Sequence, residues 1–213
     1  MKIKSLTNIF WLLKNQKQIK NWRKRNFTPP SPEFIKHKII ENNNLDNSAW
    51  IETGTYYGET TKILSNISKK TVSIEADKDL YELAKKKLSN FNNIELIFGK
   101  SEDILSDAIE KVLDYKNICI YLDAHLCHDH KKNIKTFGDE ENATPIKKEL
   151  YFIEKYLEKF EGVNILIDDI RLFNNSFQNY PKKNYLVNWC EENNFEWEIE
   201  QDIFICKKIK IKT

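Results

Sequence analysis

The sequence predicts an α/β protein: a three-layer sandwich with helices on both faces of a mostly parallel, seven-stranded sheet that ends in an antiparallel hairpin. Three observations carry this. From Ala49 onward, short apolar runs rich in β-branched residues alternate with segments whose apolar residues recur at helical spacing. Such alternation forces parallel strands joined by helical crossovers. The last two apolar runs, Phe195–Glu200 and Ile203–Lys208, are separated only by Gln201-Asp202, enough for a hairpin and too little for a crossover. A chain of 213 residues suits one such core with modest decoration.

The elements follow in order. Residues 1–27 contain basic residues and no acidic ones, interleaved with Ile9, Phe10, Trp11, Leu12, Leu13 and Trp22. This N-terminal arm reads as an amphipathic helix, and two roles stay open: contact with an anionic membrane surface, or packing on the domain or on a second subunit of a homo-oligomer. A secretory signal would need a longer apolar core and a small-residue cleavage site. Residues 28–48 form a linker and a lead-in helix. Thr28-Pro29-Pro30-Ser31-Pro32 is stiff and extended, and Glu33–Asn42 places Phe34, Ile35, Ile39 and Ile40 at helical spacing. The domain proper spans 49–213. Its strands are predicted at Ala49–Thr53, Thr71–Ile74, Ile94–Phe98, Ile118–Leu122 and Val163–Ile167, then the hairpin. Its helices are predicted at Glu59–Ser68, Lys78–Ser89, Ser101–Leu113, Thr144–Phe160 and Tyr185–Asn193. Thr144 is the expected N-cap of its helix, with Pro145 at the first helical position. Ala124–Ala143 is a polar connection too long for a tight turn.

Composition narrows the function classes. Charged residues make up 31% and hydrophobic ones 40%, as in soluble globular proteins. Lys+Arg number 34 against 32 Asp+Glu, a net charge of +2, so no global field points to nucleic acid and no such partner is expected. No apolar run is long enough to span a membrane. The four cysteines are scattered and read as reduced thiols of a cytoplasmic protein.

In this architecture ligands bind beyond the carboxyl ends of the strands, at the switch point beside strand one. The first strand runs into Glu52-Thr53-Gly54-Thr55-Tyr56-Tyr57-Gly58. Gly54 and Gly58 let the backbone turn sharply and approach a ligand. Their spacing is not G-x-G-x-x-G, which disfavours a pyrophosphate-binding dinucleotide site. The second strand ends in Glu75, 21 positions after Gly54 (75 − 54), where an acid can accept hydrogen bonds from both hydroxyls of an adenosine ribose. The third ends in Gly99-Lys100-Ser101-Glu102, where Ser101 suits either a helix N-cap or a contact to an adenine edge.

These three stations resemble the Rossmann-like, class I S-adenosylmethionine-dependent methyltransferases, over roughly Trp50 to Lys208. The resemblance implies S-adenosylmethionine as cofactor, with Glu52, Gly54, Thr55 and Gly58 at its methionine end. It further implies Glu75 on the ribose, Ser101 and Glu102 near the adenine, and Asp123 beside the cofactor.

Acids close the fourth and fifth strands: Asp123 in Leu122-Asp123-Ala124-His125, and Asp168-Asp169 after Ile167. Like charges facing one crevice repel. A divalent cation such as Mg²⁺ bound by Asp123, Asp168 and Asp169 would relieve this and polarise an acceptor hydroxyl. The alternative is that Asp168 and Asp169 cap loops or pair with Arg171. The acid pattern resembles the metal-dependent O-methyltransferases. His125, just beyond Asp123, is the candidate base that takes the acceptor's proton. Asp-Ala-His, the Thr144–Leu150 segment and Ile167–Phe173 also resemble a bacterial methyltransferase group associated with surface-polysaccharide biosynthesis. That resemblance implies O-methylation of a sugar or related small molecule, by an enzyme in the cytoplasm or at the inner face of the membrane. Two rivals use the same scaffold. One is an enzyme of another class holding a transition metal at Asp123, His125 and His128; the other is a non-catalytic nucleoside-binding module.

Overall fold

The computed structural model describes residues 15–124, 128–129, 134–135, 144–174 and 180–209. A helix α1 covers residues 15–24, and α2 (Glu33–Asn42) starts after Pro32, whose ring sets φ at −56°. The body then runs β1 (Ala49–Thr53), α3 (Glu59–Ile67), β2 (Lys70–Glu75), α4 (Lys78–Lys87), β3 (Ile94–Phe98), α5 (Ser101–Glu110) and β4 (Asn117–Leu122). A small hairpin of β5 (His128–Asp129) and β6 (Ile134–Lys135) follows, then α6 (Ile146–Tyr156), β7 (Gly162–Ile167), α7 (Lys183–Glu192), β8 (Glu196–Glu200) and β9 (Ile203–Ile209).

The main sheet has the order β3-β2-β1-β4-β7-β9-β8. Pairing is parallel from β3 through β7 and antiparallel for β7–β9 and β8–β9. This is the predicted Rossmann-like, seven-stranded sandwich. The chain moves outward from β1 to β3 and then returns to place β4 on the other side of β1, so the order reverses between β1 and β4 and opens a crevice there.

The pleat sorts the core into two layers. Along β4, Ile118, Ile120 and Leu122 face α5, α6 and α7, joined by Leu105, Leu150 and Trp189. Cys119 and Tyr121 point the other way, to Ile39 and Ile40 of α2 and Leu64 of α3. Both faces are covered, which is why the strand runs apolar from Ile118 to Leu122 instead of alternating. The lead-in helix therefore belongs to the body of the fold. Among the described residues, no helix is long and apolar enough to cross a membrane.

Local differences from expectation have plain causes. β5 and β6 are two residues each, too short to show a period within the polar connection. Pro145 occupies the N-cap of α6, while Thr144 still accepts the Ile146 N–H through its hydroxyl at 3.4 Å. Ser101 is the first helical residue of α5, after Lys100 at the cap.

Candidate active site

Strand register assembles the site. Thr53 of β1 pairs with Leu122 of β4, and Leu122 pairs with Ile167 of β7. The residues one step further, Gly54, Asp123 and Asp168, therefore emerge side by side at one sheet edge. The ladder continues through them: Asp123 N–H donates to the Thr53 carbonyl at 3.1 Å, and Asp168 N–H to that of Leu122 at 3.0 Å.

The loop after β1 is fixed from below and from the side. Gly54 has φ +88°, and a Cβ there would stand 2.8 Å from the Asp123 carbonyl oxygen. Only glycine allows both the left-handed turn and that approach. The N–H groups of Gly54 and Thr55 both donate to the Ile74 carbonyl, at 3.0 and 3.1 Å. Gly58, at φ +71°, opens α3. Glu75 braces the loop laterally: its Oε2 accepts the Tyr56 N–H at 2.7 Å and its Oε1 the Asp77 N–H at 2.9 Å. Burial pushes its pKa up, while those backbone donors draw it back. Its carboxylate is thus oriented by the loop it supports.

Glu52 lies beneath. It is fully buried, and its Oε2 accepts from the hydroxyls of Thr61 at 2.5 Å and Ser73 at 2.6 Å. The Ser73 and Thr55 hydroxyls are also hydrogen-bonded to each other at 2.5 Å. Burial raises the Glu52 pKa to about 8, against the pull of these hydroxyls. Glu52 and Thr55 are therefore joined through Ser73 as struts of the loop.

A residue the sequence did not single out, Glu149 in the first turn of α6, is buried beside Ser101 and Thr53. Burial pushes its pKa up to about 7, the two hydroxyls oppose this, and the charges of Glu102 and Asp123 add to it. The hydroxyls lie close enough to stabilise the carboxylate, yet Glu149 Oε1 completes no hydrogen bond of normal geometry among the described residues. A signal was available: Ile146, Leu150 and Ile153 are the buried apolar face of α6, and position 149 falls on that face.

Beyond Asp123 opens a pocket lined by Asp123, Thr144, Glu149, Asp168, Asp169 and Tyr180, with Phe173 behind. The Tyr180 and Phe173 rings meet edge to face at 5.2 Å. Asp168 Oδ1 accepts the Asp169 N–H at 2.7 Å. Its Oδ2 accepts the Tyr121 hydroxyl at 2.7 Å and Lys36 Nζ at 2.5 Å. Lys36 Nζ also lies 3.6 Å from Asp169 Oδ1. Burial works against the Lys36 charge, but Asp168, Asp123 and Asp169 outweigh it and hold the ammonium well above the usual lysine range. Arg171 joins Asp169 at 2.5 Å to Asp202, which the hairpin turn delivers. The pairing of Asp169 with Arg171 was one of the two alternatives the sequence left open. The candidate base His125 lies outside the described residues.

The three acids named for a metal, Asp123, Asp168 and Asp169, all line this pocket. Asp168, Asp169 and Asp202 bring carboxylate oxygens within 4.8 Å of one another, Asp202 from outside the pocket lining. Lys36 and Arg171 already supply positive charge to this group. The repulsion that called for a divalent cation is relieved by the chain itself, and these residues do not fit a resident metal.

The sequence model of the Ribosomal RNA adenine dimethylase family matches residues 31–167, well over half of the chain, from α2 to the end of β7 and so up to the residue before Asp168. No curated protein matches. Among solved structures, a putative methyltransferase from Streptococcus mutans in complex with SAH aligns with TM-score 0.51 at 17% identity, covering 83% of this chain and 96% of that one. A putative rRNA-methylase from Clostridium thermocellum gives TM-score 0.52 at 14% identity, with 83% and 96% covered. The precorrin-6y C5,15-methyltransferase of Geobacter metallireducens gives 0.51 at 9%, with 85% and 90% covered. At such identities the structural likeness carries the fold alone.

The family match overturns one expectation from the sequence, a sugar acceptor with no nucleic-acid partner. The physical reason is that net charge averages over the molecule. A chain near neutrality can still keep its bases apart from its acids, and α1 exposes Lys17, Lys20, Arg23 and Lys24 with no acid among them.

Proposed function

The chain belongs to the ribosomal RNA adenine dimethylase family, and from that premise we propose that this S-adenosylmethionine-dependent methyltransferase acts on the exocyclic amino group of an adenine in RNA. The observation that carries the reading is the family match over residues 31–167, which include Gly54, Glu75, Asp123 and Glu149; Asp168, Asp169, Phe173 and Tyr180 complete the acid-lined pocket just beyond it. An exocyclic amine offers two N–H donors, and carboxylates are acceptors only. The Phe173–Tyr180 pair offers ring surface beside them, suited to a flat base taken out of its stack.

Bound S-adenosylmethionine supplies a methyl group on a positively charged sulfur, open to attack from the side opposite that sulfur. The protein's work is alignment of the two reactants. Gly54 and Gly58 let the loop backbone approach the methionine end. Glu75, held by the Tyr56 and Asp77 N–H groups, accepts the ribose hydroxyls, and Ser101 and Glu102 border the adenine. Asp123, adjacent to Gly54 across the β1–β4 edge, accepts a hydrogen bond from the acceptor amine and takes the proton it loses as the new N–C bond forms. Exposed bases of α1 contribute phosphate contacts.

Labelled S-adenosylmethionine and unmethylated ribosomal RNA test this, with the RNA digested to nucleosides afterwards. Label in N6-methylated adenosine is expected, and Asp123→Ala should lower it by roughly 10²-fold or more. Intact binding of SAH together with unlabelled RNA would sink the acceptor assignment.

A further inference from the structure

We propose that Lys36 is the built-in cation of this pocket, a positioning residue whose ammonium takes the place between Asp168 and Asp169 that a divalent metal would fill. Its role toward the acceptor rests on the reading of the pocket given above; its exclusion of a metal does not.

The geometry is specific. Lys36 lies on α2 one turn before Ile39 and Ile40, which are buried against Tyr121 and Leu166 of β4 and β7. The helix is thereby fixed under the strands that deliver the acids. From there the lysine stem reaches across 132 positions of sequence to Asp168 Oδ2 at 2.5 Å, with 19% of its side chain exposed and 2% of that of Asp168. Both oxygens of Asp168 are then in use: Oδ1 by the Asp169 N–H, Oδ2 by Tyr121 and Lys36. Asp169 Oδ1, 3.6 Å from Lys36 Nζ, is shared with Arg171. A divalent cation takes six or more oxygen ligands at roughly 2.0–2.6 Å, and the ammonium sits within that volume. Occupation by Lys36 and by a metal is therefore mutually exclusive. Removal of the lysine leaves a buried carboxylate without its counter-charge, next to a second one: the donor set of a hard cation.

Mn²⁺ is the probe, read by electron paramagnetic resonance and by melting temperature, on the full chain without RNA. Wild type and Lys36→Arg are expected to bind no Mn²⁺ at millimolar concentration and to melt unchanged. Lys36→Ala is expected to bind one Mn²⁺ at least about tenfold more tightly than wild type and to melt higher on its addition, a gain that Asp168→Asn in the same background removes. A merely structural lysine would not produce that gain. If Lys36→Ala folds only when Mn²⁺ is present, the proposal is supported; if it stays unfolded with Mn²⁺ while Lys36→Arg folds, the proposal fails. It also fails if wild type binds Mn²⁺ as tightly as Lys36→Ala, or if folded Lys36→Ala gains no ion. None of these readouts needs an acceptor, so a failure of RNA methylation would leave the Lys36 result standing on its own.

Discussion

Glu52 occupies a place where a charged carboxylate is disfavoured, and its proton is therefore tied to the stability of the loop above it. Its folded pKa is about 8 against an ordinary value of 4.5. Between those values the folded state holds a proton the unfolded state has lost, so stability falls as pH rises through that window, by on the order of 1.4 kcal/mol per unit at most. Glu149, raised to about 7, adds slope of the same sign up to that pH. Denaturant unfolding at pH 6 and pH 8 should show wild type less stable at pH 8, and Glu52→Gln should flatten the difference. An equal slope in the variant would place the proton elsewhere. Gly54→Ala tests the other strut: φ +88° and the Asp123 carbonyl at 2.8 Å predict a loss of about 1–3 kcal/mol together with loss of SAH binding. At this scale the sequence revealed the residues that end strands, because position alone marks them. Lys36 and Asp202 were not evident: one is among 34 basic residues, the other looked like an ordinary turn residue. Both reach the site through tertiary packing, which no local pattern records.

The elements were legible wherever burial imposed a period. β4 reads as a continuous apolar run because helices cover both its faces, and α6 reads as a helix because one stripe is apolar. Legibility failed in the connection between them, where β5 and β6 are held by only two paired positions. The lead-in helix α2 packs on the sheet, with Ile40 fully buried there. Ile40→Ala should accordingly cost about 2–5 kcal/mol in chemical denaturation. A change below about 0.5 kcal/mol, the level of an exposed site, would mean that α2 is peripheral. Because α2 carries Lys36, the same variant is expected to loosen the acid pocket as well as the core.

Topology is the most legible property of the whole molecule. Alternating elements and a short final turn suffice for a mostly parallel sheet closed by an antiparallel hairpin, and the observed strand order places the crevice between β1 and β4. The acceptor was not legible, since acids after strands four and five suit a hydroxyl, an amine or a metal equally, and a net charge of +2 conceals the basic surface of α1. Replacing Lys17, Lys20, Arg23 and Lys24 by Gln should weaken RNA binding and reduce its salt dependence, by roughly 0.7–0.9 in log–log slope for each phosphate that is no longer neutralised. SAH affinity should be unaffected; an unchanged salt slope would remove α1 from the RNA interface. The central claim is that the loop from Gly54 to Gly58, with Glu75, forms the cofactor site at the β1–β4 switch point. Calorimetric titration with SAH measures it most directly. One site per chain is predicted for wild type, with affinity at least about tenfold weaker, or about 1.4 kcal/mol, in folded Glu75→Ala; a folded wild-type chain that binds neither SAH nor S-adenosylmethionine, or a Glu75→Ala variant that binds as tightly as wild type, would contradict it.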